Sequence, residues 1–311
     1  MLSSLYELSV LKLAVTMSAP LIIAALGELL IERSGILNVG IEGMMIMGAA
    51  TGFLVSYFTG SNFLGMLAAM TATALFGLIL AYFSVNLRAN QLIVGLGLFV
   101  LGLGLPSLMY RLFIGVRLLA PQIPLLPAIR LPLLGSIPFL GEIFFNQPIL
   151  VYVAFLMIPS MWFLLFKTPL GLRIRASGEN PRAVDTLGIN VFRIRFICVV
   201  VGCAIIGLGG AYLPMVLTGT FTEGMVGGRG WLSLMLVIFG RWMPQTVLLG
   251  ALFFAYIEAL QFRLAMTARA IPSQFFLMLP YIAAILVLVQ IYRRAEAPEG
   301  LLKPYDREAR S

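Results

Sequence analysis

The sequence predicts an all-α polytopic membrane protein of about nine transmembrane helices (range roughly 8–10), some of them broken or half-length, counting roughly 20 residues per span. Three observations carry this. Mean hydropathy is +1.01. Only 11% of the 311 residues are charged, against 60% apolar, which is the composition of a chain dissolved in lipid. The polar residues are concentrated in one island, Lys167–Arg195, rather than spread along helix faces.

Taken in order, apolar stretches fall at about 8–30, 36–58, 63–85, 91–113, 149–166, 195–217, 244–262 and 273–292. The first is expected to be a span and not a cleaved signal. Glu7 stands where a basic n-region belongs, and no small-x-small site follows. Asn90 and Gln91 open the fourth stretch, where capping is their expected role. Residues 114–148 hold six prolines and few charges. They are expected to form an external excursion with an amphipathic or re-entrant piece over PLLGSIPFLGEIFF. A ninth apolar run, WLSLMLVIFG at 231–240, is short and follows the glycine-rich EGMVGGRG, so a broken or half-length helix is predicted.

The island carries six basic residues against Glu179 and Asp185. Thr168-Pro169 reads as an N-cap with proline at the first helical position, and Gly178 is placed to close that helix in a left-handed conformation. Asn180-Pro181 repeats the signal, Gly188 closes PRAVDTL, and Asn190 caps the helix that follows. The reading is of two short capped helices on a membrane surface, with Glu179, Arg182 and Asp185 exposed to a soluble partner. Orientation follows from the basic residues. With the N-terminus outside and nine crossings, Arg33, Arg88, the island, Arg241 and the tail after residue 292 place fourteen of the 21 Lys and Arg inside.

Several chemistries are excluded. Histidine is absent, which removes His metal ligands, the HExxH zinc site and every Ser-His or Cys-His pair. None of the three lysines, Lys12, Lys167 and Lys303, follows a glycine, so no P-loop exists and any ATP is used by another chain. No bound cofactor or metal is expected. The charge of +8 fits the positive-inside bias rather than nucleic acid. Cys198 and Cys203 are expected to be free and inert.

Acids inside apolar segments are functional candidates by default. Glu28, Glu32, Glu42 and Glu258 qualify, each with a plainer reading beside it. Glu32 and Arg33 read as a solvated helix end, Glu258 as a partner of Arg263, and Glu42 as an acceptor for backbone groups freed by a broken helix or as a substrate contact. Asn38 and Glu42 lie four apart and would share a helical face. Trp231 and Trp242 flank the short segment as interfacial anchors, and Trp231 is also placed to stack a planar ring. Residues 20–58 and 197–240 both run helix, glycine-rich polar stretch, helix, and enter from opposite sides. This inverted-repeat pattern points to a path near the midplane between Asn38–Glu42 and Glu223–Trp231.

At ERSGILNVGIEGMMIMGA, GENPRAVDTLGIN and GGRGWLSLMLVIFGRWMP the chain resembles the inner-membrane permeases of bacterial ABC importers for simple sugars, nucleosides and branched-chain amino acids. The similarity spans roughly residues 10–292 and is closest to the shorter, nucleoside-type permease; ribose-type relatives carry a longer N-terminus and a GGIDLSVG-like segment. The resemblance implies one permease domain in which 167–195 is the cytoplasmic coupling loop and 293–311 a cytoplasmic tail. It carries ATPase contact onto Glu179, Asn180, Pro181, Arg182, Ala183, Asp185 and Gly188. It further implies a second homologous permease as a heterodimer partner, an ABC ATPase with two fused nucleotide-binding halves, and an external substrate-binding lipoprotein. The alternatives are a ribose-like sugar permease and a proton-coupled secondary transporter using Glu42 or Glu28; the latter has no need of the basic platform.

Overall fold

The computed structural model describes residues 2–115, 119–130, 132, 135, 137–267, 273–291 and 296–307. The expected apolar stretches form α1 (Leu2–Arg33), α2 (Ile41–Thr59), α3 (Asn62–Ala81), α4 (Gln91–Ile114), α6 (Ile149–Lys167), α9 (Val191–Tyr212), α10 (Arg229–Phe239), α11 (Pro244–Thr267) and α13 (Leu279–Ile291). Between them lie the short α5 (Leu140–Phe144), α7 (Pro169–Glu179), α8 (Pro181–Thr186) and α12 (Ser273–Leu277). Among the described residues, seven helices are long and apolar enough to cross a membrane, and Arg229–Phe239 and Phe275–Val289 are shorter apolar pieces. The short α10 is the half-length helix that its glycine-rich approach predicts. The last expected span is divided, α12 ending at Leu277 and α13 starting at Leu279.

Two helices lose their regular winding at one end. α3 runs on through a π-helical segment, Tyr82–Asn86, and α9 through another, Leu213–Thr218, which begins beside Pro214. Proline has no N–H for the ladder, and a wider turn is one way to absorb that. The 114–148 excursion contains two three-residue strands, β1 (Ala128–Arg130) and β2 (Asn146–Pro148), paired antiparallel. The helical piece anticipated over PLLGSIPFLGEIFF is only the five residues of α5; residues 133, 134 and 136 of that stretch lie outside the described residues. Gln147 fastens the excursion to α1, accepting from the Thr16 hydroxyl at 2.7 Å and donating to the Lys12 carbonyl at 3.2 Å.

α1 is the hub. Its apolar window is 94% buried, against 22% for α4, so α1 is the core and α4 faces outward. It packs on α9, α11, α10 and α6, while α9 also packs on α2 and α3. Apolar side chains gain little from leaving lipid for protein, so close packing must supply the attraction, and small residues supply it by letting backbones approach. A Cβ on Gly27 would stand 2.6 Å from the Gly202 carbonyl oxygen, and one on Gly48 would collide with the Gly207 backbone. The α1–α9 and α2–α9 crossings therefore require glycine.

Pro20 inside α1 removes the N–H that would reach the Thr16 carbonyl. The fully buried Tyr212 fills the gap, its hydroxyl donating to Thr16 O at 2.7 Å. Within a bilayer a freed carbonyl has no water to turn to, so this bond joins a helix defect to a helix–helix contact. Tyr212→Phe is expected to lower stability in detergent by about 1–3 kcal/mol. Gly48→Ala is expected to lower it by a similar 1–3 kcal/mol, roughly the cost of overpacking. Gly97→Ala, where the added methyl meets nothing within 4 Å, should be neutral or slightly stabilising. Thermal melts of the purified variants check all three; an unchanged midpoint for Gly48→Ala would contradict the crossing.

Candidate functional site

The first break in the helices is the turn Ser34–Gly40 between α1 and α2. Its backbone N–H groups have lost helical partners and find side chains instead. The Leu37 N–H donates to Gln91 Oε1 at 2.9 Å, Asn38 N–H to Glu28 Oε1 at 3.0 Å, and Gly40 N–H to Asn38 Oδ1 at 3.0 Å. Asn38 thus works inside the turn and does not share a helical face with Glu42, since α2 begins only at Ile41. Gln91 is buried, and its role extends beyond opening a helix.

The second break, Gly219–Gly228, precedes α10, and Glu42 reaches it from the first turn of α2. Its Oε1 accepts from the Gly228 N–H at 2.8 Å and its Oε2 from Gly230 N–H at 2.7 Å. Gly228 is the N-cap of α10, in a left-handed conformation and with no side chain to cap it. A carboxylate borrowed from 186 residues away therefore does what an N-cap aspartate would do locally, with the added favour of the helix dipole. Of the two roles open to Glu42 in the sequence, the backbone-satisfying one is the one seen. Arg229, next in line, pairs with Glu258, which corrects the expected Glu258–Arg263 pair. A cavity of about 190 Å³ lies beside this pair, lined in part by Gln261, Phe262 and Tyr281; that is below the ~300–1,000 Å³ of ligand pockets. Trp231 meets Phe99 of α4 edge-on, ring centroids 5.6 Å apart. Glu223 stands apart from Glu42, exposed and paired with Arg111 at 3.0 Å.

A third junction was missed in the sequence. Between α10 and α11, Arg241 and Trp242 both adopt positive φ, at 50° and 54°, which costs energy in residues other than glycine. The turn is held from α1: Trp242 Nε1 donates to Glu32 Oε2 at 2.5 Å, and the Arg33 guanidinium donates twice to the Trp242 carbonyl, at 3.0 and 2.8 Å. Glu32 and Trp242 are both buried, so neither the solvated helix end nor the interfacial anchor anticipated for them occurs.

The polar island folds as its caps dictate. Thr168 accepts from Gly171 N–H, Asn180 from Ala183 N–H, and Asn190 from Arg193 N–H. Gly188 is left-handed at φ 77°. Gly178 is not; α7 continues to Glu179, and Gly178 is buried because a Cβ there would strike the Arg33 carbonyl. Arg182 and Ala183 on α8 and Leu187 just after it are exposed, Leu187 by 77%.

Asp185 does not face outward as a free acid. The tail, residues 296–307, lies across α7 and α8. The Gly300 N–H donates to the Gly178 carbonyl at 2.7 Å, Tyr305 OH to Asp185 Oδ2 at 3.0 Å, and Arg307 to both Asp185 oxygens at 2.8 and 2.5 Å. The Glu299 N–H reaches Glu179 at 3.2 Å, and Arg88 meets Asp306 at 2.6 Å. Tyr305 also packs with Val184 and Val191. Spacing alone could not show this, because the tail and α8 are separated by the whole C-terminal half of the fold.

Comparison with known proteins gives this arrangement its place. The family described as branched-chain amino acid transport system / permease component matches residues 10–288. The chain belongs to this family. Over 300 residues it is 40% identical to the guanosine ABC transporter permease NupQ of Bacillus subtilis, covering 93% of both chains. It is 37% identical to the nucleoside ABC transporter permease NupC of Lactococcus lactis, over 91% of this chain and 92% of that one. A permease of Haloferax volcanii, TsgC13, provisionally named for a glucose ABC transporter, is 34% identical over 97% and 99%. Among solved structures, a metal-chelate-type ABC transporter in an inward-facing conformation shares the fold with a TM-score of 0.51 at 18% identity, over 91% of this chain and 85% of that one. The chain is thus a multi-span ABC-type permease, and both broken helices and the platform with its tail fall within or directly against the matched region.

Two outcomes follow for this permease. Glu42→Ala leaves two N–H groups inside the bilayer without a charged acceptor, and is expected to cost roughly 2–4 kcal/mol, with Glu42→Gln costing about half; thermal melts in detergent decide. For the tail, the hydrogen bonds from Arg307 hold the Asp185 carboxyl below the usual aspartate range, and burial with the Asp185 contact holds the Tyr305 hydroxyl protonated. A lowered acid contributes stability that is present at neutral pH and disappears only as pH falls through its folded value. Hydrogen-exchange protection factors at 299–305, with the intrinsic pH dependence of exchange divided out, should therefore be unchanged from neutral pH down to about 4, fall below that as Asp185 protonates, and be lowered at neutral pH by Arg307→Gln.

Proposed function

We propose that this permease imports nucleosides across a bacterial inner membrane, as one of two homologous permease subunits driven by a separate ATPase and fed by an external substrate-binding lipoprotein. The observation that carries the substrate class is similarity at 40% and 37% identity over nearly the full length to permeases named for guanosine and nucleosides. TsgC13 favours a sugar as the second reading. ATP is hydrolysed by the partner, since no P-loop sequence occurs here. The tally of basic residues supports an N-terminus outside and a C-terminus inside, which puts α7, α8 and the tail on the ATPase side and residues 114–148 outside.

In this reading α8 is the contact with the ATPase, offering Arg182, Ala183 and, just after it, Leu187, while Asn180, Pro181 and Gly188 shape it. Glu179 and Asp185 act from behind, holding the tail against it. The substrate path lies between the two broken segments, around Asn38–Glu42 and Glu223–Trp231. Irregular backbone is tolerated at membrane depth where it lines a cavity or is covered by protein. Glu42 already serves backbone groups there, so its part is to hold the path open, and Trp231 offers a ring face to a base.

Arg182→Glu is expected to lower ATPase stimulation by loaded binding protein about tenfold, equivalent to ~1.4 kcal/mol of lost contact, with insertion unchanged. Unaltered stimulation would move the contact elsewhere. Asn38→Ala and Trp231→Ala should slow radiolabelled nucleoside uptake while half-saturation, set by the binding protein, stays put. Uptake of ribose without nucleosides would overturn the substrate class but leave the coupling assignment standing.

A further inference from the structure

The sequence contains Arg-Ile-Arg twice, at 173–175 and 193–195. The structure lays the two copies side by side, one on α7 and one at the start of α9. In each copy the second arginine turns inward. Arg175 donates to the Leu165 carbonyl at 2.9 Å and covers the Phe166 ring; Arg195, fully buried, donates to the Ser177 carbonyl at 3.0 Å and to the Lys303 carbonyl at 3.3 Å. The first arginine of each copy, Arg173 and Arg193, is exposed and, among the described residues, forms no ion pair. These two stand over a groove of about 470 Å³ whose floor is Ile174, Ile194 and Cys198 and whose open side carries Leu170 and Ile197, each 54% exposed.

The groove sits at a membrane boundary whichever way the chain is oriented. α6 ends as a candidate span at Lys167, and α9 begins one at Val191. Lys167 lies over the Trp162 ring at 5.3 Å, the aromatic-and-basic pairing found at headgroup level. Two unpaired guanidinium groups beside an apolar slot, at the depth where headgroups meet acyl chains, match one kind of ligand. A nucleotide or free phosphate satisfies the arginines but not the apolar floor and exposed leucine and isoleucine; a hydrocarbon chain alone does the reverse.

We propose that the groove between the two Arg-Ile-Arg segments binds an anionic phospholipid, its phosphate on Arg173 and Arg193 and an acyl chain along Leu170 and Ile197. Guanidinium groups bind phosphate through paired charge-assisted hydrogen bonds, and basic pockets between spans collect anionic lipid. A phosphatidylcholine headgroup brings its own cation against the arginines and is disfavoured. Because α7 forms one wall, the lipid touches the same helix that bears the tail.

The test uses the assembled transporter reconstituted into nanodiscs of phosphatidylglycerol with phosphatidylcholine, followed by detergent extraction and mass spectrometry of retained lipid. The parent should retain phosphatidylglycerol over phosphatidylcholine. The double variant R173Q/R193Q should lower that retention about 30-fold, as expected for two basic residues near a headgroup. R173K/R193K should keep most of it, because lysine binds phosphate as a point charge; it also controls for folding, together with an unchanged melting midpoint. Equal retention of both lipids by the parent, or undiminished phosphatidylglycerol on R173Q/R193Q, overturns the proposal. So does loss of the ATPase from R173Q/R193Q with lipid unchanged, which would make the arginines a protein contact.

Discussion

A backbone N–H or carbonyl with no partner is far more costly inside a bilayer than in water, and most of this structure answers to that one constraint. Several places where a helix stops short or is interrupted are met by a side chain from another part of the chain. Glu28 and Gln91 serve the turn before α2, Glu42 the start of α10, Tyr212 the carbonyl freed by Pro20, and Glu32 with Arg33 the turn before α11. The acids that look at first like proton carriers are largely engaged as acceptors. Each meets at least one donor, while Glu28 Oε2 and Glu32 Oε1 are buried without a hydrogen-bond partner.

The same constraint explains what the sequence disclosed and what it withheld. Helix positions were legible because apolar length is set by membrane thickness, and α10 was recognisably short because its glycine-rich approach could not be helical. Capping in the polar island was legible for a similar reason: Thr168, Asn180 and Asn190 each act on an N–H three residues away. Gly178 misled because a glycine can mark close approach as well as a left-handed turn, and only the neighbouring Arg33 carbonyl distinguishes them. Glu32, Trp242 and Glu258 were misassigned for a further reason. Their partners lie 210 residues away for the first two and 29 for the last, and no local rule reports such pairings.

The platform shows how a surface is tuned by what lies behind it. Some of its residues are tied into the fold and others lie on its exposed side. Arg175, Arg195 and Asp185 are committed to backbone carbonyls or to the tail. Arg182 on α8 and Leu187 just after it remain exposed. The tail ties the two short helices together: Tyr305 and Arg307 hold Asp185 of α8, and the Gly300 N–H meets the carbonyl of Gly178, which itself lies against the Arg33 carbonyl at the end of α1.

The direction of these cross-chain bonds bears on how such a protein is made. Thr16, Glu32, Arg33 and Glu42 all lie in the first 42 residues, and their partners Tyr212, Trp242, Gly228 and Gly230 leave the ribosome long afterwards. Because synthesis runs from the N-terminus, the group that satisfies each later defect has been made before that defect emerges. The reverse order would put a naked α10 into lipid before its acceptor existed. The dependence runs one way along the chain: breaks near residues 228–242 rely on groups within residues 32–42.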